Sequence, residues 1–338
     1  MELVFGFAIL SFFITSILLV PFIDFLYRMK MQRKKQKTLD MFNKPTKEFD
    51  KMHALKAGVP IGGGLLIIFV VTLLSLWAYG LFAVEVRFWE LFVLLFSFVG
   101  YGALGLYDDI KKIFSIDKKK SAFFGLRFKY KFAIQWILAL IIGFVFYQYL
   151  GYSFIYFHWI GEIPLGILFV PLAAFIIVSF VNAVNITDGL DGLSSGLFLI
   201  ALIAFLTISS GLLDPFLALF IAILLGATAA FLYFNVWPAR IILGDVGALA
   251  LGGVLAVIGI LTGKVGAVGV IGGVFVIEVA SSLIQLTGKK FFGRKILPIA
   301  PIHLYFQKKG WEEPKIVMRA WLLGFLFAIL GLYIAFAG

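Results

Sequence analysis

NAVNITDGLDGLSSG, residues 182–196, is a polar stretch set between two long apolar runs. It brings two carboxylates, Asp188 and Asp191, and two carboxamides, Asn182 and Asn185, to the point where an apolar segment should meet water. On a helix Asp188 and Asp191 share a face, with their charges within about 6 Å. Like charges that close raise one another's pKa unless a cation or a donor stands between them. Gly189 and Gly192 leave no side chain beside the acids, so a ligand can come close to the backbone. The plain structural alternative is a polar cap that opens the next helix. A cap needs one Asp or Asn, however, and this segment has four such side chains within ten residues.

The surrounding chain has 338 residues, 62% hydrophobic and 14% charged, with a mean hydropathy of +1.06. That is too apolar for a surface wetted by water. The fold expected is all-α: a polytopic integral membrane protein of about ten transmembrane helices, residues 1–338 forming one domain around a cytoplasmic cleft. Counting apolar runs near the roughly 20 residues that cross a bilayer places the helices at 3–27, 58–82, 88–107, 131–150, 166–184, 192–212, 214–234, 247–262, 266–287 and 317–336. The first run opens with Glu2 rather than a basic residue and is long enough to span, so it reads as helix one and not as a signal peptide. Cysteine is absent and the histidines, His53, His158 and His303, are scattered, which argues against disulfides, thiolate chemistry and a histidine metal cluster.

Lysine and arginine set the orientation, because cytoplasmic loops retain them. Segments 28–57, 108–131 and 288–319, with Arg240, hold 27 of the 29 basic residues, leaving only Arg87 and Lys264 opposite. Both termini are therefore expected outside and residues 182–192 at the cytoplasmic surface. The longest outer loop, 151–165, carries Tyr152, Tyr156, His158 and Trp159 and reads as an interfacial belt or small hairpin. The net charge of +11 fits loops lying against anionic lipid, and no nucleic acid need be invoked.

The same cytoplasmic surface receives further acids. YGALGLYDDIKK places Asp108 and Asp109 about 100° apart on a helix, followed by Lys112. FNVWPARIILGDVGALALGG sets Asp245 among glycines after Asn235, where phosphate and metal oxygens meet no Cβ atoms. A helix starting there would aim its N–H groups at an anion. Near the end, KILPIAPIHLYFQKKGWEEPK is too broken to span and too apolar for a solvent loop, so it should lie along the membrane surface with His303. Glu278 sits in the middle of an apolar run, where an ionised group needs a partner; it reads as structural and stays outside the candidate site. Five acids ringed by lysines point to Mg²⁺, which takes one or two carboxylates and completes its shell with substrate phosphates.

These blocks, with KAGVPIGGG at 56–64, resemble in order and spacing the signature blocks of the phospho-N-acetylmuramoyl-pentapeptide transferase family, within the polyprenyl-phosphate N-acetylhexosamine-1-phosphate transferase superfamily. The resemblance covers residues 53–322. It implies ten membrane helices, Mg²⁺, and a cytoplasmic cleft where UDP-MurNAc-pentapeptide meets undecaprenyl phosphate to give lipid I and UMP for peptidoglycan synthesis in the plasma membrane. It implies further that Asp108 and Asp109 form an acid pair, one of them deprotonating the lipid phosphate, that Asp245 and Asp188 hold the metal, and that Asn182, Asn185, Asp191 and Asn235 contact the nucleotide or support that contact. Lys56, Lys112 and Lys131 fall near phosphates, and His303 acts in the last cytoplasmic loop. The expected partners are the two substrates, the bilayer and a second copy in a homodimer. Direct attack and a covalent aspartyl intermediate are both chemically open.

Three positions depart from the family pattern. Leu304 and Tyr305 stand where two more histidines usually follow His303, Ile242 where an aromatic is common, and Ile61 where a hydroxyl residue is usual. Two rival readings remain, a sister transferase using UDP-GlcNAc and a secondary transporter. The sister enzyme shares the acid motifs. A transporter would place its charges at the bilayer midplane and show a repeat between halves, which this chain does not.

Overall fold

The computed structural model describes residues 2–33, 56–82, 88–114, 126, 128–157, 161–212 and 214–337. Among the described residues twelve α-helices follow in order: α1 (Glu2–Arg28), α2 (Gly63–Phe82), α3 (Phe88–Phe114), α4 (Phe128–Gln148), α5 (Phe169–Thr187), α6 (Leu193–Gly211), α7 (Pro215–Asn235), α8 (Gly244–Leu261), α9 (Val265–Ile271), α10 (Gly273–Phe291), α11 (Ile302–Lys308) and α12 (Glu313–Phe336). Nine are long and apolar enough to cross a membrane, and the pair α9 and α10, bent by 76°, makes ten if it is counted as one span. Among the described residues the spans number nine, or ten with the bent pair counted as one, against the ten expected. The helix expected at 266–287 is broken at Gly272 into α9 and α10.

Helix α8 is the hub. Every residue from Val246 to Ile260 is buried, and α2, α3 and α5 pack around it. Lipid supplies no hydrophobic drive between helices, so small residues that let backbones touch decide the packing. A Cβ built on Gly64 would lie 2.1 Å from the Gly247 α-carbon, and one on Gly252 would lie 2.6 Å from the Phe180 carbonyl oxygen. Helix α1 meets α7 in the same way, with Gly226 against the Ala8 carbonyl and the Ser11 hydroxyl donating to the Ile223 carbonyl at 2.7 Å. Large apolar side chains on α1 and α12, such as Ile17, Leu322 and Tyr333, point outward, as a lipid-facing surface requires.

Two expected boundaries moved. Helix α3 runs two turns beyond residue 107, so Asp108 and Asp109 lie within it. Residues 58–62 precede α2 as extended chain: the Ile61 N–H donates to Met31 O at 2.8 Å, Arg33 N–H to Val59 O at 2.9 Å, and Ile242 N–H to Pro60 O at 2.8 Å. Three segments distant in sequence are thus laced together at one end of the bundle. At the other end the aromatic loop forms a hairpin, β1 (Phe154–Phe157) antiparallel to β2 (Gly161–Pro164). His158, Trp159, Arg87 and residues 34–55 and 115–125 of the basic loops lie outside the described residues.

Candidate active site

The C-terminal ends of α3 and α5 and the N-terminal ends of α4, α8 and α12 gather at the laced end. Asp245, second residue of α8, is the focus. Its Oδ2 pairs with Lys112 Nζ at 2.9 Å and with Lys131 Nζ, and its Oδ1 accepts from Asn185 Nδ2 at 3.2 Å. Behind the two lysines stands Asp108, 2% exposed, whose Oδ2 pairs with Lys112 at 3.0 Å and Lys131 at 2.9 Å while Oδ1 accepts the Leu126 N–H at 2.6 Å. Asp109 turns the other way. Its Oδ2 accepts the Val246 N–H at 3.0 Å, so a carboxylate on α3 caps α8, whose own cap position is Leu243 and supplies no side-chain hydrogen bond. Of these three acids Asp245 is the one open to a ligand, its side chain 17% exposed.

The 188–192 turn forms the opposite wall. Lys56 Nζ lies 2.8 Å from Asp191 Oδ1, 2.5 Å from Glu313 Oε1 and 3.1 Å from the Gly189 carbonyl oxygen, so its three N–H donors meet three acceptors. Glu313 Oε1 also accepts the Asp191 N–H at 2.6 Å, and Asp191 Oδ2 the Ala239 N–H at 3.0 Å. Asn235 ties the turn from below: Oδ1 accepts Gly192 N–H at 3.1 Å and the Ser195 hydroxyl at 2.8 Å, and Nδ2 donates to Ile241 O at 2.9 Å. Asn182 faces the bundle, donating to Gln135 Oε1 at 2.9 Å and Val178 O at 2.8 Å. His303 packs its ring against Gly189 and sets Nδ1 2.9 Å from Glu278 Oε2.

Asp188 closes α5 as its C-terminal cap residue. Burial pushes its carboxyl up to about 7, with Lys56 and Arg33 opposing the rise and Asp245 and Asp191 adding to it. Burial likewise draws Arg33 below the usual guanidinium range, countered by Asp188, Asp191, Glu313 and Asp245. Arg33 and Glu313 are therefore part of this wall, and sequence reasoning missed both. Arg33 was hidden in a run of lysines. Glu313 lay in the quoted KGWEEPK block, and only its contact with Lys56 singles it out. The departing residues Ile61 and Ile242 pair with each other in a short parallel bridge at the mouth.

Because a buried pair loses several kcal/mol when one partner goes, Glu313→Ala should destabilise the protein by about 3 to 5 kcal/mol. A lower midpoint of thermal unfolding in detergent checks this, and Glu313→Gln, which keeps an acceptor for Lys56, should recover part of it.

Residues 91–263, from α3 to the turn after α8, match the model of glycosyl transferase family 4. The phospho-N-acetylmuramoyl-pentapeptide-transferase of Geobacillus thermodenitrificans is 37% identical over 327 residues, covering 96% of this chain and 95% of that protein. The chain belongs to this transferase family. The equivalent protein of Geobacillus sp. strain WCH70 is 38% identical over 332 residues, covering 96% of each chain, and that of Caldanaerobacter subterraneus is 35% identical over 85% of this chain and 86% of its own. The matched segment carries Asp108, Asp109, Lys112, Lys131, Asn185, Asp188 and Asp245; Lys56, His303 and Glu313 fall outside it.

Proposed function

We propose that the chain, as one transmembrane domain of the plasma membrane with its site cytoplasmic and both termini outside, transfers phospho-MurNAc-pentapeptide from UDP-MurNAc-pentapeptide to undecaprenyl phosphate, giving lipid I and UMP. The convergence of Lys112, Lys131 and Asn185 on Asp245 supports this reading most. Two ammonium groups gathered on one accessible carboxylate form a place where a diphosphate and a cation can share charge.

The residues present fit Mg²⁺. They offer carboxylate oxygens but, among the described residues, no group of three or more acids or histidines that could hold an ion, so phosphates and waters would complete its shell. Asp245 and Asp188 would hold it. When bound, Mg²⁺ neutralises the diphosphate and stabilises departing UMP.

The chain's own groups do the rest by position. Asp108 keeps Lys112 and Lys131 together, ready to swing from Asp245 onto phosphate oxygens, and Asp109 holds α8 in register with α3. An oxygen of the lipid phosphate attacks the sugar-bearing phosphorus. The bond from that phosphorus to the bridging oxygen breaks, and UMP carries the oxygen away with no net proton needed. Both oxygens of Asp108 already receive donors, which favours direct attack over a covalent intermediate on Asp108.

Purified protein offered undecaprenyl phosphate should release UMP from UDP-MurNAc-pentapeptide and not from UDP-GlcNAc. The reverse preference would make it a sister transferase, and vesicle uptake without UMP would make it a transporter. Mg²⁺ should also bind more weakly as pH falls through about 7, by up to roughly tenfold per unit. Above that value Asp188 is already charged, and below it a proton must leave first. Activity titrated with Mg²⁺ one pH unit either side checks this; an unchanged half-saturation would remove Asp188 as a ligand.

A further inference from the structure

Glu278, Ser281 and Gln285 form a buried polar row on one face of α10, at spacings of three and four that stack side chains over successive turns. Each holds one point of the segment leading into α11. Gln285 Oε1 accepts the N–H groups of Ile296 at 3.1 Å and Leu297 at 2.9 Å, and its Nε2 donates to Leu297 O at 2.8 Å. Ser281 Oγ accepts the Ile302 N–H at 3.1 Å. Glu278 comes last, facing His303 Nδ1 at 2.9 Å with both side chains out of water. The far edge of the ring is fixed as well, since a Cβ on Gly189 would lie 2.4 Å from His303 Nε2 and 2.9 Å from Cε1. Gly189 separates Asp188 from the rest of the turn, and its carbonyl oxygen accepts from Lys56.

We propose that Glu278 is a positioning residue of the transfer reaction, holding His303 as the Nδ1–H tautomer with Nε2 turned toward Gly189. This rests on the transferase reading above. A carboxylate has acceptors only, so the ring nitrogen facing it carries a hydrogen, and in a neutral ring the other nitrogen keeps a lone pair. Nε2 so fixed accepts a hydrogen bond beside the turn that carries Asp188. It suits an O–H or N–H of the substrate and not a phosphate oxygen. The row along α10 explains how one histidine stays placed where Leu304 and Tyr305 have replaced its usual neighbours: the ring is oriented from α10.

The test is nitrogen-15 NMR of the full chain in detergent, labelled at its three histidines, with the His303 signals assigned by their loss in His303→Gln. The proposal expects a protonated Nδ1 and an unprotonated Nε2. Glu278→Gln keeps an acceptor and should retain that tautomer and most of kcat. Glu278→Leu should lose the tautomer and about 10- to 100-fold in kcat, the range seen when a group orienting a histidine is removed, with KM changing less. An Nε2–H tautomer or a ring protonated on both nitrogens in the unsubstituted protein overturns the proposal, as does Glu278→Leu with tautomer and kcat unaltered. Should Glu278→Leu not fold, the unsubstituted spectrum and Glu278→Gln decide alone. Failure of the unsubstituted protein to release UMP would sink the transferase reading and Glu278's part in it, while the spectrum still reports the tautomer.

Discussion

Asp245→Asn should abolish UMP release, lowering kcat by on the order of 10²-fold or more, while leaving the protein folded. The two halves of that expectation have separate causes. Activity falls because Asp245 is the acid on which Lys112, Lys131 and Asn185 converge, and Asn keeps its shape while losing the charge that a divalent cation and the lysines require. The fold survives because Asp245 does not cap its own helix: the Val246 N–H is met by Asp109. Both lysines also retain Asp108 as a partner. A melting midpoint close to that of the unsubstituted protein, together with lost turnover, is the expected pair of measurements. Near-normal turnover with Mg²⁺ would withdraw Asp245 from the centre of the site.

That centre was legible in the sequence because each of its residues carries a local signal. Asp108, Asp245 and the 182–192 stretch are polar groups at the ends of apolar runs, and the cost of placing them there is visible without a structure. The walls were less legible. Lys56 was read beside phosphates and Asn235 as contacting the nucleotide or supporting that contact; in the structure their donors go to Asp191, Glu313, Gly189 and Ile241. Spacing along a chain cannot show which polar group will be consumed by a distant partner. Glu278 illustrates the same limit from the other side. Its burial in an apolar run announced a partner, but the partner, His303, lies 25 residues on and reaches it only because Ser281 and Gln285 fold the intervening segment back along α10. The bend at Gly272 escaped for a different reason: α9 and α10 are both apolar, and composition does not record the angle between them.

Gly105→Ala should lower kcat by about 10²-fold, the cost expected when reacting groups are misplaced by an ångström, and should lower the thermal midpoint as well. A Cβ at that position would lie 2.2 Å from the carbonyl oxygen of Asp245, 2.4 Å from its carbonyl carbon and 2.6 Å from the Val246 α-carbon. All three atoms are backbone of α8, so no side chain can rotate away, and α3 must move off α8. Overpacking of this kind costs about 1 to 3 kcal/mol. The displacement acts on the site directly, because α3 carries Asp108, Asp109 and Lys112 while α8 carries Asp245. Gly100, on the same helix, is the control. A Cβ there meets only the Leu138 side chain at 3.6 Å, an ordinary contact, and replacing glycine by alanine within a helix favours the helix by up to about 1 kcal/mol. Gly100→Ala should therefore be neutral or slightly stabilising and fully active. Since both substitutions gain the same helix propensity, the difference between them isolates the α3–α8 contact. Equal activity in the two would mean that the distance between these helices does not set the geometry of Asp245 and its lysines.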